Sequence, residues 1–122
     1  MAIKSNYFTD DEFKCSCCGL SNMSSEFIEK LDIARAYSQT PYVITSGSRC
    51  RKHNIKIGGH PESLHIATIK HQSEACDISA DTDRKRYSIL FGLIKANFCH
   101  IGIAKDFIHV DLSNKKGYWL YR

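Results

Sequence analysis

Phe107-Ile108-His109-Val110-Asp111-Leu112 decides how this chain folds. Branched and aromatic residues fill the stretch, which suits a strand. Side chains alternate along a strand, so Phe107, His109 and Asp111 share one face while Ile108, Val110 and Leu112 take the other. One face is apolar and belongs against a core. The opposite face places an imidazole and two neighbours where a ligand can reach them.

Working outward, Ile101-Gly102-Ile103-Ala104 reads as a partner strand joined by a tight Lys105-Asp106 turn. Glu74-Ala75-Cys76-Asp77-Ile78 reads as another strand, and Tyr118-Trp119-Leu120-Tyr121 as a final edge strand. Tyr42-Val43-Ile44-Thr45, after the break at Pro41, reads as a buried strand. Between Phe8 and Phe13, Thr9 and Glu12 have the spacing of a capping box with a hydrophobic staple around it, so a short helical turn is expected. Phe27, Ile28, Leu31 and Ala34 predict a helix over 25–37. A second long helix is predicted from Asp81 to about Asn97, burying Tyr87, Leu90, Phe91 and Ile94. Gly47, Gly58, Gly59 and Pro61 mark a long loop from Ser46 to Ser73, and a loop of that length in a compact domain is usually functional. Helices first, then strands around one long helix, indicate an α+β fold: one small domain over 1–122, with a central antiparallel sheet flanked by helices.

Composition narrows the function classes. The 122 residues suit one domain, and 43% hydrophobic with 25% charged residues is an ordinary globular balance. The net charge of +4 is mild and lies in short runs, Arg51–Lys52 and Arg84–Arg86. It favours approach to an anionic polymer, but no recognition motif accompanies it, so no nucleic-acid partner is expected. No apolar run approaches the roughly 20 residues of a membrane span. Met1 to Phe8 carries no apolar stretch of a secretory signal, so synthesis in the cytoplasm is expected.

The chemistry-bearing residues are the polar ones on apolar elements. A buried carboxylate such as Asp77 is costly unless it is paired or metal-bound. A lone strand histidine is usually a hydrogen-bonded core residue. Here two strands each bring a His or Asp, and a His-rich loop holding His60, His65 and His71 lies between them, which points to a metal site. Zinc accepts nitrogen and oxygen ligands, and a catalytic zinc keeps three protein ligands with a fourth position open. Spacing alone leaves the loop ligand open.

Four blocks carry a resemblance. Val43-Ile44-Thr45-Ser46-Gly47-Ser48-Arg49 is similar to the "TSGYR" strand of the zinc D-alanyl-D-alanine carboxypeptidase family. Asn54 with Gly58-Gly59-His60-Pro61-Glu62-Ser63-Leu64-His65 resembles its "N..GG.P.S.H", and Ala75-Cys76-Asp77-Ile78 its "A.DI". Ile101-Gly102-Ile103 with Phe107 to Leu112 resembles its "IGI…FIHVDL". The blocks keep the family's order from Val43 to Leu112, more than half of the chain. The wider superfamily includes phage cell-wall endopeptidases and the hedgehog signalling domain.

The resemblance implies zinc bound by His65, Asp77 and His109. It makes Arg49 the grip on a substrate carboxylate or carbonyl, Ser63 a substrate-side neighbour of the first ligand, and Asp106 the general base. Asp111 is read as a partner that holds a ligand histidine, or as half of a lysine pair. The implied reaction is hydrolysis of a peptide bond in peptidoglycan stem peptide by a carboxypeptidase or endopeptidase. The enzyme would be monomeric, act at the cell wall, and resemble phage lysis enzymes or tail components. A non-catalytic zinc-containing module of the same fold is the rival. One departure stands out: eleven residues, Ile66 to Cys76, separate His65 from Asp77, more than the family's usual spacing, and its usual glycine is missing. The register of Gly59, Pro61 and Ser63 favours His65, with His71 as the alternative.

Six cysteines are many for this length. Cys15, Cys17, Cys18 and Cys50 have spacing that suits a structural zinc site. Family members often carry similar cysteines, which implies that the two segments touch; a disulfide or free buried thiols would serve equally. Cys76 and Cys99 are expected to be core residues.

Overall fold

The computed structural model describes residues 3–121. Two strands form its centre: β2 (Ala75–Ser79) pairs antiparallel with β4 (Phe107–Asp111), with Asp77 directly opposite His109. The alternation read from the sequence then sorts the side chains. Cys76, Ile78, Ile108 and Val110 point to the far face and are fully buried there. Asp77 and His109 are left side by side on the near face.

β3 (His100–Ile103) pairs antiparallel with the other edge of β4, setting Gly102 opposite His109. β5 (Gly117–Leu120) adds to β3 in parallel, with Trp119 opposite Gly102. β1 (Ile44–Ser46) closes the far side of β2, giving the order β1-β2-β4-β3-β5. One row across the near face therefore runs Asp77, His109, Gly102, Trp119. The sheet is antiparallel except at the β3–β5 pair, and the fold is the expected small α+β domain.

Two helices cover the far face. α1 (Ser25–Ser38) begins where the Ser24 hydroxyl accepts from the Phe27 N–H, and it buries Phe27, Ile28, Leu31 and Ala34 as expected. α3 (Asp83–Lys95) starts two residues later than its predicted boundary, because Thr82 caps it by accepting from the Lys85 N–H at 3.2 Å. The buried face of α3 also differs from expectation. Ile89, Gly92 and Leu93 are buried, whereas Tyr87 is 70% exposed and Phe91 and Ile94 are also exposed. Gly92 explains the choice: a Cβ there would stand 2.2 Å from the Ala34 carbonyl oxygen, so the glycine side is where the two helices come closest.

Three other expectations need correction. β1 is an irregular edge strand rather than a buried one; Tyr42 before it is buried, but Val43 is exposed. The long loop after it contains a helix, α2 (Arg51–Lys56), capped by the Cys50 sulfur accepting from the His53 N–H at 3.3 Å. Cys99 is only half-buried, while Cys76 is a core residue. The capping-box turn is present at Asp10–Phe13, where the Glu12 carboxylate accepts from the Thr9 N–H at 2.7 Å and Phe8 packs edge-on against Phe13. Among the described residues no helix is long and apolar enough to cross a membrane.

Candidate metal centre

Three side chains converge at the floor of a cleft of about 740 Å³ on the near face of the sheet. His65 Nε2 stands 3.3 Å from His109 Nδ1 and 3.3 Å from Asp77 Oδ1, and His109 Nδ1 stands 3.0 Å from Asp77 Oδ1. The other ring nitrogens fix the tautomers. His65 Nδ1–H donates to the Gly47 carbonyl at 2.9 Å, and His109 Nε2–H donates to Asp111 Oδ2 at 2.6 Å. Neutral rings held this way turn two nitrogen lone pairs and a carboxylate oxygen toward one point. Three acceptors with no donor between them require a cation, either a proton or a metal. A tetrahedral ion about 2.0–2.2 Å from each donor sets the donors roughly 3.3 Å apart, and the observed spacing fits that. His65, Asp77 and His109 are thus able to hold a metal ion.

The electrostatics follow from this crowding. Burial pushes the Asp77 carboxyl up, but hydrogen bonds with His109 and His65 outweigh it and hold the group well below the usual carboxylate range. Burial pulls His109 down, yet its bonds to Asp111 and Asp77 raise it to about 9. Asp111 is buried as well. Bonds from His109, His100 and the Ser113 N–H overcome that cost and keep it ionised.

Above the floor stands Arg49, 8% exposed and on the cleft wall. Its guanidinium donates to Asn54 Oδ1 at 3.1 Å and to the Ser46 hydroxyl at 3.2 Å, while Nε has no partner. Among the described residues it forms no ion pair. Burial lowers its pKa, and Asp77 opposes that through space. Asn54 is itself buried and donates to the His60 carbonyl at 2.9 Å, so it braces both the arginine and the loop. Gly59 permits this arrangement, since a Cβ there would meet Asn54 Oδ1 at 2.2 Å. The Ser63 hydroxyl accepts from the His65 N–H at 3.2 Å, and Ser63 also lines the cleft.

The structure separates the two loop histidines. His65 is buried in the cluster; His71 is exposed on a turn closed by two backbone hydrogen bonds with Thr68. The extra residues after His65 form that turn, which is pinned by Asn22 Nδ2 donating to the Thr68 carbonyl at 2.8 Å. Asp106 is exposed in the turn ahead of β4 and does not line the cleft. Strand alternation accounts for this, because 107, 109 and 111 face the cleft and their neighbours do not. Cys15, Cys18 and Cys50 gather elsewhere, a sulfur of each within 4.8 Å of the others, and Cys17 is exposed.

Several cleft residues escaped the reading of the sequence. Trp119 packs against His100 and His109, with ring centroids 4.5 Å and 5.6 Å away, and Tyr121 and Glu62 also line the walls. His100 Nδ1 donates to both oxygens of Asp111 at 2.9 Å. The signal that could have found Trp119 is its place on a strand read from the sequence, and for His100 its place one residue ahead of the strand that begins at Ile101.

A small α+β domain with a candidate His/Asp/His metal site, built from two strands and a loop beside a buried arginine, defines the class of this protein. The family model for peptidase M15 matches residues 6–111, and the chain belongs to that family. No curated protein matches it.

Proposed function

We propose that this protein is a zinc metallopeptidase that hydrolyses a peptide bond in peptidoglycan stem peptide at the bacterial cell wall. The observation that carries the reading is the buried Arg49 guanidinium, without a carboxylate partner among the described residues, in the same cleft as the metal set. A planar, permanently charged fork of this kind suits a substrate carboxylate or a polarised carbonyl. Family membership supplies the reaction class.

His65, Asp77 and His109 would hold zinc, which would supply Lewis acidity and lower the pKa of water. The chain's own residues do the rest. Asp111 and the Gly47 carbonyl hold the two imidazoles in the tautomers that face the ion. Arg49, braced by Asn54, orients the substrate, with Ser63 beside it, and Trp119 and Tyr121 form a side wall of the cleft. A carboxylate at the cleft would take a proton from water and pass it to the leaving amine; Asp106, the one the resemblance implies, stands exposed at the head of β4 off the cleft wall, whereas Glu62 lines the cleft. The mild positive charge suits approach to an anionic wall polymer.

The test is digestion of purified peptidoglycan, and of a peptide ending in D-alanyl-D-alanine, by zinc-loaded protein. New amino groups should appear, vanish with chelator and return with zinc. Zinc-loaded protein that leaves both substrates intact would sink the peptidase reading. One observation favours a second reading, a binding module that keeps the fold: Asp106 lies off the cleft wall. Retained binding to peptidoglycan without any cleavage would establish it.

A further inference from the structure

We infer that Cys15, Cys18 and Cys50, completed by Cys17, form a second, structural zinc site that ties the N-terminal segment to the base of the arginine loop. One sulfur from each of Cys15, Cys18 and Cys50 lies within 4.8 Å of the others. Cys17 is exposed and lies next to Cys18 in the chain, at the rim of the group. None of the four lines the cleft, and the site stands apart from the His65 cluster.

The backbone around these sulfurs is arranged as it is around thiolates. Residues 15–20 make a tight turn, with the Gly19 N–H donating to the Cys15 carbonyl at 2.8 Å and the Cys15 N–H donating to the Leu20 carbonyl at 2.7 Å. Two of the sulfurs accept main-chain hydrogen bonds: the Cys50 N–H donates to Cys15 Sγ at 3.4 Å, and the His53 N–H donates to Cys50 Sγ at 3.3 Å. Sulfur atoms that accept main-chain N–H groups in this way are held in place for a shared cation. Thiolates crowded this closely repel one another, and tetrahedral zinc offsets the repulsion while taking up to four of them. Binding releases the thiol protons to solvent, so uptake acidifies an unbuffered sample.

The position explains what such a site is for. Cys50 follows Arg49 directly, and the Phe13 carbonyl accepts from the Ser48 N–H at 2.7 Å. Gly47, whose carbonyl orients His65, packs against Phe13 closely enough that a Cβ would lie 2.6 Å from its Cα. A metal joining residues 15–18 to Cys50 therefore fixes the platform from which Arg49 and the Gly47 carbonyl reach the cleft.

Metal analysis of the full chain, purified with zinc, should give two ions per protein, and His109→Ala should keep one. Cobalt(II) substitution gives a second readout that needs no variant. The cleft ligands are nitrogen and oxygen, so an intense near-ultraviolet sulfur-to-cobalt band in wild-type protein can come only from cysteine ligands. Chelation should expose the four thiols to a thiol reagent that the loaded protein resists. A cobalt protein without that band, thiols equally reactive before and after chelation, or a metal-free His109→Ala protein would overturn the inference. So would unreduced, unfolded protein with fewer than six reactive thiols, since that outcome means a disulfide.

Discussion

Replacing Asp111 by Asn tests how the metal set is held. The Asp111 carboxylate meets only donors: His109 Nε2–H at 2.6 Å, His100 Nδ1–H at 2.9 Å and the Ser113 N–H at 2.9 Å. An amide of the same shape keeps one oxygen but turns an NH2 group toward one of those donors. The bond to His109 then falls from a charge-assisted one, about 1.5–3 kcal/mol, to a neutral one of about 0.5–1.5 kcal/mol. The difference, roughly 1–1.5 kcal/mol, corresponds to about a tenfold loss of zinc affinity. Asp111→Ala also frees the ring to rotate, and its loss should approach the upper end of the roughly 10–100-fold range for such outer partners. Competition against a chromophoric chelator measures both. Zinc affinity unchanged in both variants would refute the claim that Asp111 sets the His109 tautomer for metal binding.

Three further outcomes are expected. His65→Ala should lose the cleft metal and His71→Ala should keep it, read as metal content; the reverse would mean that His71 replaces His65 in solution. Asp106→Asn and Glu62→Gln, compared side by side, should both keep the metal, and the one that is the base should lower turnover by roughly 10²–10⁴-fold, the usual contribution of a positioned proton carrier; turnover unchanged in both would exclude either carboxylate. The folded His109 pKa lies above its ordinary value, so protonation stabilises the metal-free fold fully below about 6.5 and that contribution disappears as pH rises through about 9. Zinc must displace this proton, so calorimetry or chelator competition should show affinity of the cleft site rising roughly tenfold per pH unit until about pH 9; affinity flat from pH 6 to 9 would exclude a protonated His109 in the metal-free state.

Period-two alternation made the centre of the fold readable, because it applies to each strand alone. It placed His109 and Asp77 on ligand-bearing faces, and the direct Asp77–His109 register followed once the two strands paired. Elements decided by distant partners were harder to read. α3 carries two apolar stripes, one through Tyr87, Phe91 and Ile94 and one through Ile89 and Leu93, and nothing local ranks them. The close approach of α1 at Gly92 makes the choice. α2 has no apolar periodicity at all, and is held by its Cys50 cap and by the buried Asn54 contacts. The Trp119 wall depends on parallel pairing between β5 and β3, which no turn residue announces.

The unusual spacing after His65 is tolerated for a structural reason. His65 and Arg49 are fixed to each other before the extra residues begin. The Arg49 N–H donates to the His65 carbonyl at 2.8 Å, the Ala67 N–H donates back to the Arg49 carbonyl at 2.9 Å, and His65 Nδ1–H reaches the Gly47 carbonyl. Beyond Ala67 the chain turns at Thr68–His71 and returns through Ser73, whose N–H donates to the Asn22 carbonyl, while the Glu74 N–H donates to the Leu64 carbonyl. The added length is therefore confined to a surface turn whose two ends are anchored by main-chain hydrogen bonds. Lengthening such a turn costs little loop entropy, because closure cost grows only slowly with length. What the candidate metal site requires is the bridge between Arg49 and residues 65–67, not a set number of residues between His65 and Asp77.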